Sequence, residues 1–221
     1  MMIFDFGFYN GLDAIFYIKK GFKVVALEAN PVMAKKGIEK FKKYIEEGKL
    51  MLINKAIFDE VGVMDFYVND IYSSWKRWIA EYNGVKAKLI TVETTTLTEL
   101  CKEYGVPYYI KVDIEGCGVH VARHLLTLEK KPQFISFETR WENFGEVFAS
   151  LLIAGYKKFQ LINGINNPEN SSGPFGEDLP DKWFSYEDLL ERYMKYRDLR
   201  IIDKKQLSPG WLDVHAKLSD E

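Results

Sequence analysis

The chain has 221 residues, of which 47% are hydrophobic and 28% charged, and this suits one globular domain able to bury a sizeable core. Its formal net charge of −2 offers no global attraction to nucleic acid or an anionic membrane, and the run Lys35, Lys36, Lys40, Lys42 and Lys43 reads as a solvated helix face. Cys101 and Cys117 match neither a metal-ligand spacing nor a disulfide framework and point to a reduced, cytoplasmic setting, while no stretch approaches the ~18 continuous apolar residues of a membrane span.

Residues 2–6 are apolar enough for a buried strand, and Asp5 interrupts them where a signal peptide would continue. After Gly11, residues 12–20 read as a helix closed by Gly21. "FKVVALEAN" is a second buried strand, Pro31 marks the start of a helix over 32–46, and "KLMLINKAIF" is a third strand. "GVMDFYVN" reads as an added strand ahead of the polar and aromatic stretch "DIYSSWKRWIAEYNG". "KLITVETTTL" is β-branched enough for another strand, with "LTELCKEYG" a short helix behind it. Three further strands alternate with two helices, in "YYIKVDIEG", "VHVARHLLTLEKK", "PQFISFETR", "ENFGEVFASLLIAG" and "YKKFQLING". From residue 163 to about 210 the pattern breaks into an Asn-, Gly-, Pro- and Ser-rich segment and a helix near 185–196, before a last strand, "GWLDVHAKL". The alternation implies an α/β fold with a Rossmann-like, mostly parallel sheet covered by helices on both faces. The chain reads as one domain over 1–221, with 163–210 inserted as a lid or acceptor wall.

In such sheets ligands sit beyond the carboxyl ends of the strands. The first strand ends in Asp5-Phe6-Gly7 and runs to Gly11, where glycines permit a tight turn and close approach to a ligand. The second strand ends at Glu28, a carboxylate placed to accept ribose hydroxyls. The loop reads D-x-G-x-x-x-G and lacks the third glycine of a pyrophosphate-binding fingerprint. An Asp beside it opposes a pyrophosphate and suits a cationic adenosyl cofactor, so S-adenosylmethionine is favoured over NAD. Asn54, Ala56 and Ile57, at the end of the third strand, are placed to face an adenine ring. Asp113 and Glu115 finish the buried strand "YYIKVDIEG"; two apart, they share a side of it, and buried acids are costly unless paired or functional.

The segments "IFDFGFYNG", "VVALEANP", "NKAIFDEVGVMDFYV", "TTTLTEL", "YIKVDIEG" and "FISFE", covering roughly residues 3–138, resemble the FkbM family of S-adenosylmethionine-dependent methyltransferases. The resemblance implies a seven-stranded methyltransferase sheet, with Asp5, Gly7, Gly11, Glu28, Asn30 and Asp113 bordering the cofactor. Relatives usually carry a small residue and Asn where this chain has Phe8 and Tyr9.

Methyl transfer to an unactivated hydroxyl needs a base, and the candidates are Asp113, Glu115, Glu138 at the end of "FISFE", or a histidine. Arg140 and Trp141 follow as candidates for contacting a carboxylate or stacking on a sugar. Ser73, Ser74, Trp75 and Trp78 form a second candidate wall. His120 and His124 stand one helical turn apart without a third ligand nearby, so no metal is expected, and His215 reads as a core or edge residue. The reading is an O-methyltransferase for a small-molecule, glycan or glycolipid hydroxyl. Two alternatives are a non-catalytic S-adenosylmethionine-binding or assembly module, suggested by Phe8 and Tyr9, and an NAD-dependent oxidoreductase. No nucleic-acid partner is expected, and the sequence leaves the oligomeric state open.

Overall fold

The computed structural model describes residues 1–69, 72–138, 144–163, 183–202 and 212–218. Arg140, Trp141 and most of the expected lid lie outside the described residues.

The main sheet holds β1 (Met2–Phe6), β2 (Lys23–Leu27), β3 (Leu50–Ile53), β7 (Tyr109–Val112), β8 (Phe134–Glu138), β9 (Tyr156–Asn163) and β10 (Leu212–Leu218). Their spatial order is β3-β2-β1-β7-β8-β10-β9. Pairings among β3, β2, β1, β7 and β8 are parallel, whereas β10 runs antiparallel to both β8 and β9. The expected seven strands are present, with one reversed near an edge. The chain winds outward from β1 to β3 and then returns to β7 on the other side of β1, so the switch point of the sheet lies between β1 and β7.

A smaller sheet corrects part of the expected order. The segment "KLMLINKAIF" divides into β3 and β4 (Ala56–Ile57), and β4 leaves the main sheet. It pairs with β6 (Lys88–Thr95), whose other side carries β5 (Gly62–Val68) in antiparallel register. Two strands expected in one continuous layer therefore form a separate platform, which brings Phe66 to the carboxyl-end side of the main sheet.

Helices α1 (Leu12–Lys19), α2 (Pro31–Lys40), α3 (Lys42–Glu46), α4 (Arg77–Ala80), α5 (Leu97–Tyr104), α6 (Gly118–Thr127), α7 (Phe144–Ile153) and α8 (Tyr186–Ile202) complete the described elements. Asn30 caps α2 by accepting from the Val32 N–H at 3.0 Å, with Pro31 at the first helical position. The single helix expected over 32–46 breaks at Phe41, whose backbone leaves helical geometry while its ring packs edge-on against Phe8 at 5.8 Å.

Strand alternation divides the core between the two faces of the sheet. Phe4, Phe6, Ile110, Val112, Ile135 and Phe137 pack with residues of α5, α6 and α7 on one face. Ile3, Val24, Ala26, Tyr109 and Phe134 pack with α1 on the other. This second face also carries a polar row where an apolar strand surface would be ordinary. Asp5, Lys111, Ser136, His215 and Gln160 stand in direct register across β1, β7, β8, β10 and β9, and all five are buried. The Tyr109 hydroxyl joins the row through a 2.6 Å hydrogen bond with Ser136.

Phe8 belongs to this second core and is 3% exposed. A Cβ at Gly37 would sit 2.5 Å from its ring and one at Gly11 equally close, so two glycines make the space it occupies. Its bulk is therefore a packing feature directed away from the cleft. Phe8→Ala is expected to lower the unfolding free energy by about 3–5 kcal/mol, as for other buried aromatic truncations. The check is a urea titration in which the midpoint falls and the slope is retained.

Candidate functional site

The loop leaving β1 is held by the strand beside it. The backbone N–H groups of Gly7 and Phe8 both donate to the Leu27 carbonyl, at 3.1 and 3.0 Å. Gly7 has φ +93°, and a Cβ there would lie 1.9 Å from the Asp113 carbonyl oxygen. No other residue fits where the β1 loop presses on the end of β7.

Tyr9 follows with φ +46°, an uncommon conformation for a non-glycine residue. Its N–H donates to Glu28 Oε2 at 2.8 Å, and the Asn30 N–H donates to Glu28 Oε1 at the same distance. Glu28 thus clasps the β1 loop to the β2 loop with one oxygen for each. Asn54 secures the same corner by donating from its side chain to the Glu28 carbonyl at 2.7 Å. Burial pushes the Glu28 carboxyl up, and the two N–H groups and Lys111 oppose that rise.

These loops border a cleft of about 220 Å³. One wall is Gly7, Tyr9, Glu28 and Asn30; the second is Ala56, Ile57 and Phe66 with Ser73; the third is Asp113, Ile114, Glu115 and Cys117. Of the residues singled out in the sequence, Gly7, Glu28, Asn30, Ala56, Asp113 and Glu115 meet here. Asp5, Gly11, Asn54 and Glu138 lie outside this lining. Gly11 makes room for Phe8 and Phe41, and Asn54 braces the backbone behind Glu28.

Beneath the cleft lies an ionic centre that the sequence reading missed. The Lys111 ammonium is 2.7 Å from Asp13, 3.1 Å from Asp113 and 3.8 Å from Asp5. Burial opposes its charge, but Asp113, Asp13 and Asp5 outweigh that and raise its pKa well above the usual lysine value. Asp5 is 1% exposed, and burial pushes its carboxyl up to about 7 even with Lys111 pulling the other way.

One residue nearer the carboxyl ends, Val112 pairs with Phe137, so Asp113 and Glu138 stand side by side, and Glu138 pairs with Asp213. Glu138 is driven well above the ordinary carboxylate range by burial and then by Asp113 and Asp213, and it hydrogen-bonds Asp113. Asp213 is driven up by burial and by Asp113. A signal for the centre was present in the sequence, since Lys111 interrupts the otherwise apolar "YYIKV". Asp13 and Asp213 gave none, because their approach depends on the register of α1 and β10.

The other candidates resolve into packing roles. Ser74 donates to the Glu115 carbonyl at 2.6 Å and the Trp75 indole donates to Gly116 at 3.2 Å, fastening this segment to the end of β7. Trp78 is exposed, so of that expected wall Ser73 alone borders the cleft. His120 pairs with Asp59 at 2.7 Å, and His124 contacts the Thr98 hydroxyl and the Asp59 carbonyl, each at 3.0 Å. Among the described residues no group of His, Cys, Asp and Glu is placed to hold a metal. Burial pushes the Cys117 thiol up to about 12, which leaves it a weak nucleophile.

The lining suits a cationic adenosyl cofactor. Its charged groups are Glu28, Asp113, Glu115 and Lys55, and Lys55 is paired with Glu93 at 3.1 Å. This acidic balance opposes a pyrophosphate.

The FkbM methyltransferase domain matches residues 5–158, from Asp5 of β1 into β9. The chain belongs to the FkbM methyltransferase-domain family. No curated protein matches it. Among solved structures, StiE O-MT is similar at a TM-score of 0.50 and 8% identity, over 99% of this chain and 68% of that one. An S-adenosylmethionine-dependent O-methyltransferase from Thermotoga maritima gives 0.48 and 8%, over 100% and 60%. Precorrin-6y C5,15-methyltransferase from Geobacter metallireducens gives 0.44 and 11%, over 99% and 80%. At such identities the likeness concerns the methyltransferase-like fold alone. Within the FkbM domain, the departure at Phe8 is now accounted for by the core, while Tyr9 remains in the cleft wall. Among the described residues no helix is long and apolar enough to cross a membrane.

Asp5 generates a pH dependence of stability. Its folded pKa of about 7 lies above the ordinary carboxylate value, so the folded state holds an extra proton and loses stability as pH rises from about 4 to about 7. Asp5→Asn is expected to remove that slope, gaining about 2–3 kcal/mol relative to the wild type between pH 5 and pH 8. Paired denaturant titrations at the two pH values check it; parallel losses in both proteins would refute the assignment.

Proposed function

We propose that the protein is an S-adenosylmethionine-dependent O-methyltransferase acting on a hydroxyl of a small molecule, sugar or glycolipid. The observation that carries this reading is the acidic cleft at the β1/β7 switch point, with the Gly7 turn on one side and the clasping Glu28 on the other.

When bound, S-adenosylmethionine supplies an electrophilic methyl group on a sulfonium. Glu28 would hold the ribose hydroxyls: its oxygens each accept one backbone N–H and keep further lone pairs for the cleft. Ala56, Ile57 and Phe66 supply an apolar wall for the adenine. The acidic groups around Asp113 favour the ligand's positive charges over a phosphate. Asp113 and Glu115 are the carboxylates of the cleft wall able to orient an acceptor hydroxyl and take its proton. Glu138 adjoins Asp113 from β8, and burial together with Asp113 and Asp213 raises its carboxyl well above the ordinary range. A cytoplasmic, reducing setting agrees with the free Cys101 and Cys117.

Calorimetric titration with S-adenosylmethionine, S-adenosylhomocysteine and NAD tests the cofactor. Binding of the first two and none of NAD is expected; NAD binding alone would overturn the reading. Glu28→Ala is expected to weaken S-adenosylhomocysteine binding by about 1.5–3 kcal/mol through lost charge-assisted hydrogen bonds. Unchanged affinity in that variant would remove Glu28 from the ribose site.

A further inference from the structure

Lys111 is placed in the middle of the main sheet, with its side chain on the face covered by α1. Burying an ammonium there is costly, and a methionine of similar length would fill the volume without that cost. The charge must therefore be used. Two of its partners, Asp5 on β1 and Asp13 on α1, lie outside the cleft lining, whereas Asp113 on the loop leaving β7 is part of it. The ammonium connects two rigid elements to a carboxylate of the cleft.

The charged and titratable groups facing this centre come from every element around it. They are Asp5 from β1, Glu28 beyond β2, Asp13 and Tyr17 from α1, Tyr109 from β7, Glu138 from β8 and Asp213 from β10, with Asp113 on the loop leaving β7. All except Lys111 are acidic when they ionise. Without that cation, Asp113 would face only acidic groups.

We propose that Lys111 is the positioning residue of the catalytic centre, its ammonium aiming the Asp113 carboxylate into the cleft and supplying the countercharge that makes Asp113, rather than Glu138, the acceptor's base. This rests on the O-methyltransferase reading. In the step concerned, the acceptor's O–H bond breaks and its proton forms a new O–H bond on an Asp113 oxygen. The electron pair stays on the acceptor oxygen as the attacking lone pair. Glu138, hydrogen-bonded to Asp113, lies outside the cleft lining and takes no part in this step.

Carboxyl ¹³C NMR of protein labelled at aspartate tests the proposal, with the Asp113 resonance assigned from Asp113→Asn. In Lys111→Met the Asp113 titration is expected to move up by about 1–3 pH units, since an adjacent cation has been removed. Lys111→Arg, which keeps the charge, is expected to restore most of the shift, and a purely space-filling role would not produce that rescue. An unmoved Asp113 titration in a folded Lys111→Met variant would overturn the proposal. Should that variant fail to fold, Asp13→Asn decides, because it changes a side chain that is 34% exposed and leaves the ammonium to Asp113 and Asp5. The Asp113 titration should then move down, and no movement would overturn the proposal. Titration of the unaltered protein with S-adenosylhomocysteine runs separately: its failure removes the methyltransferase reading, while the NMR result still decides whether Lys111 governs Asp113.

Discussion

The arrangement of the carboxyl-end cleft depends on one buried ammonium. Lys111 draws together Asp5 of β1, Asp13 of α1 and Asp113 beyond β7, three groups that would otherwise repel one another in a poorly solvated place. Its effect on each partner differs. Asp5 is sealed off and stays a reluctant carboxylate, while Asp113 reaches the cleft wall. A hydrophobic residue at 111 would pack as well, but it would leave the acids of this face without a countercharge. Paired buried charges often add little net stability, which makes their retention here more informative about the cleft than about the core.

The second constraint is backbone proximity. Gly7 lies so near the Asp113 carbonyl that a methyl group has no place, and Tyr9 takes a left-handed conformation with its N–H on Glu28. Glu28 therefore serves as a fastener in the structure as it stands, joining the loops after β1 and β2. The same carboxylate suits ribose hydroxyls because two hydrogen bonds do not exhaust its lone pairs. A preformed loop spares a ligand much of the entropy of ordering it. Phe8 contributes from behind, its ring anchoring the loop between Gly11, Gly37 and Phe41.

Much of this was legible in the chain, for reasons that differ by residue. The strand-to-helix order follows from short apolar runs punctuated by Gly21, Pro31 and Gly105. The strands next to the switch point carry their terminal carboxylates to the cleft, whereas Glu138 at the end of β8 stays outside its lining. Glu28 and Asp113 both line the cleft. Gly11 was read as bordering the cofactor from the first loop and Asn54 from the end of the third strand; in the structure Gly11 makes room for Phe8 and Phe41, and Asn54 braces the backbone behind Glu28. Phe8 and Tyr9 looked alike in sequence, yet a sharp turn sends one into the core and the other to the cleft. Residue type does not reveal the direction of a side chain in irregular backbone.

By itself the sequence determined the layered α/β class and the family, and it singled out Glu28 and Asp113, which line the cleft, because periodicity, turn residues and motif spacing are local properties. Tertiary structure alone decided that Asp5, Lys111, Ser136, His215 and Gln160 form one buried polar row, and that Glu138 stands between Asp113 and Asp213. Those neighbours come from segments far apart in the chain. Their adjacency is set by strand order and register, and charges interact through space, so the ionic character of the centre exists only once the sheet has closed.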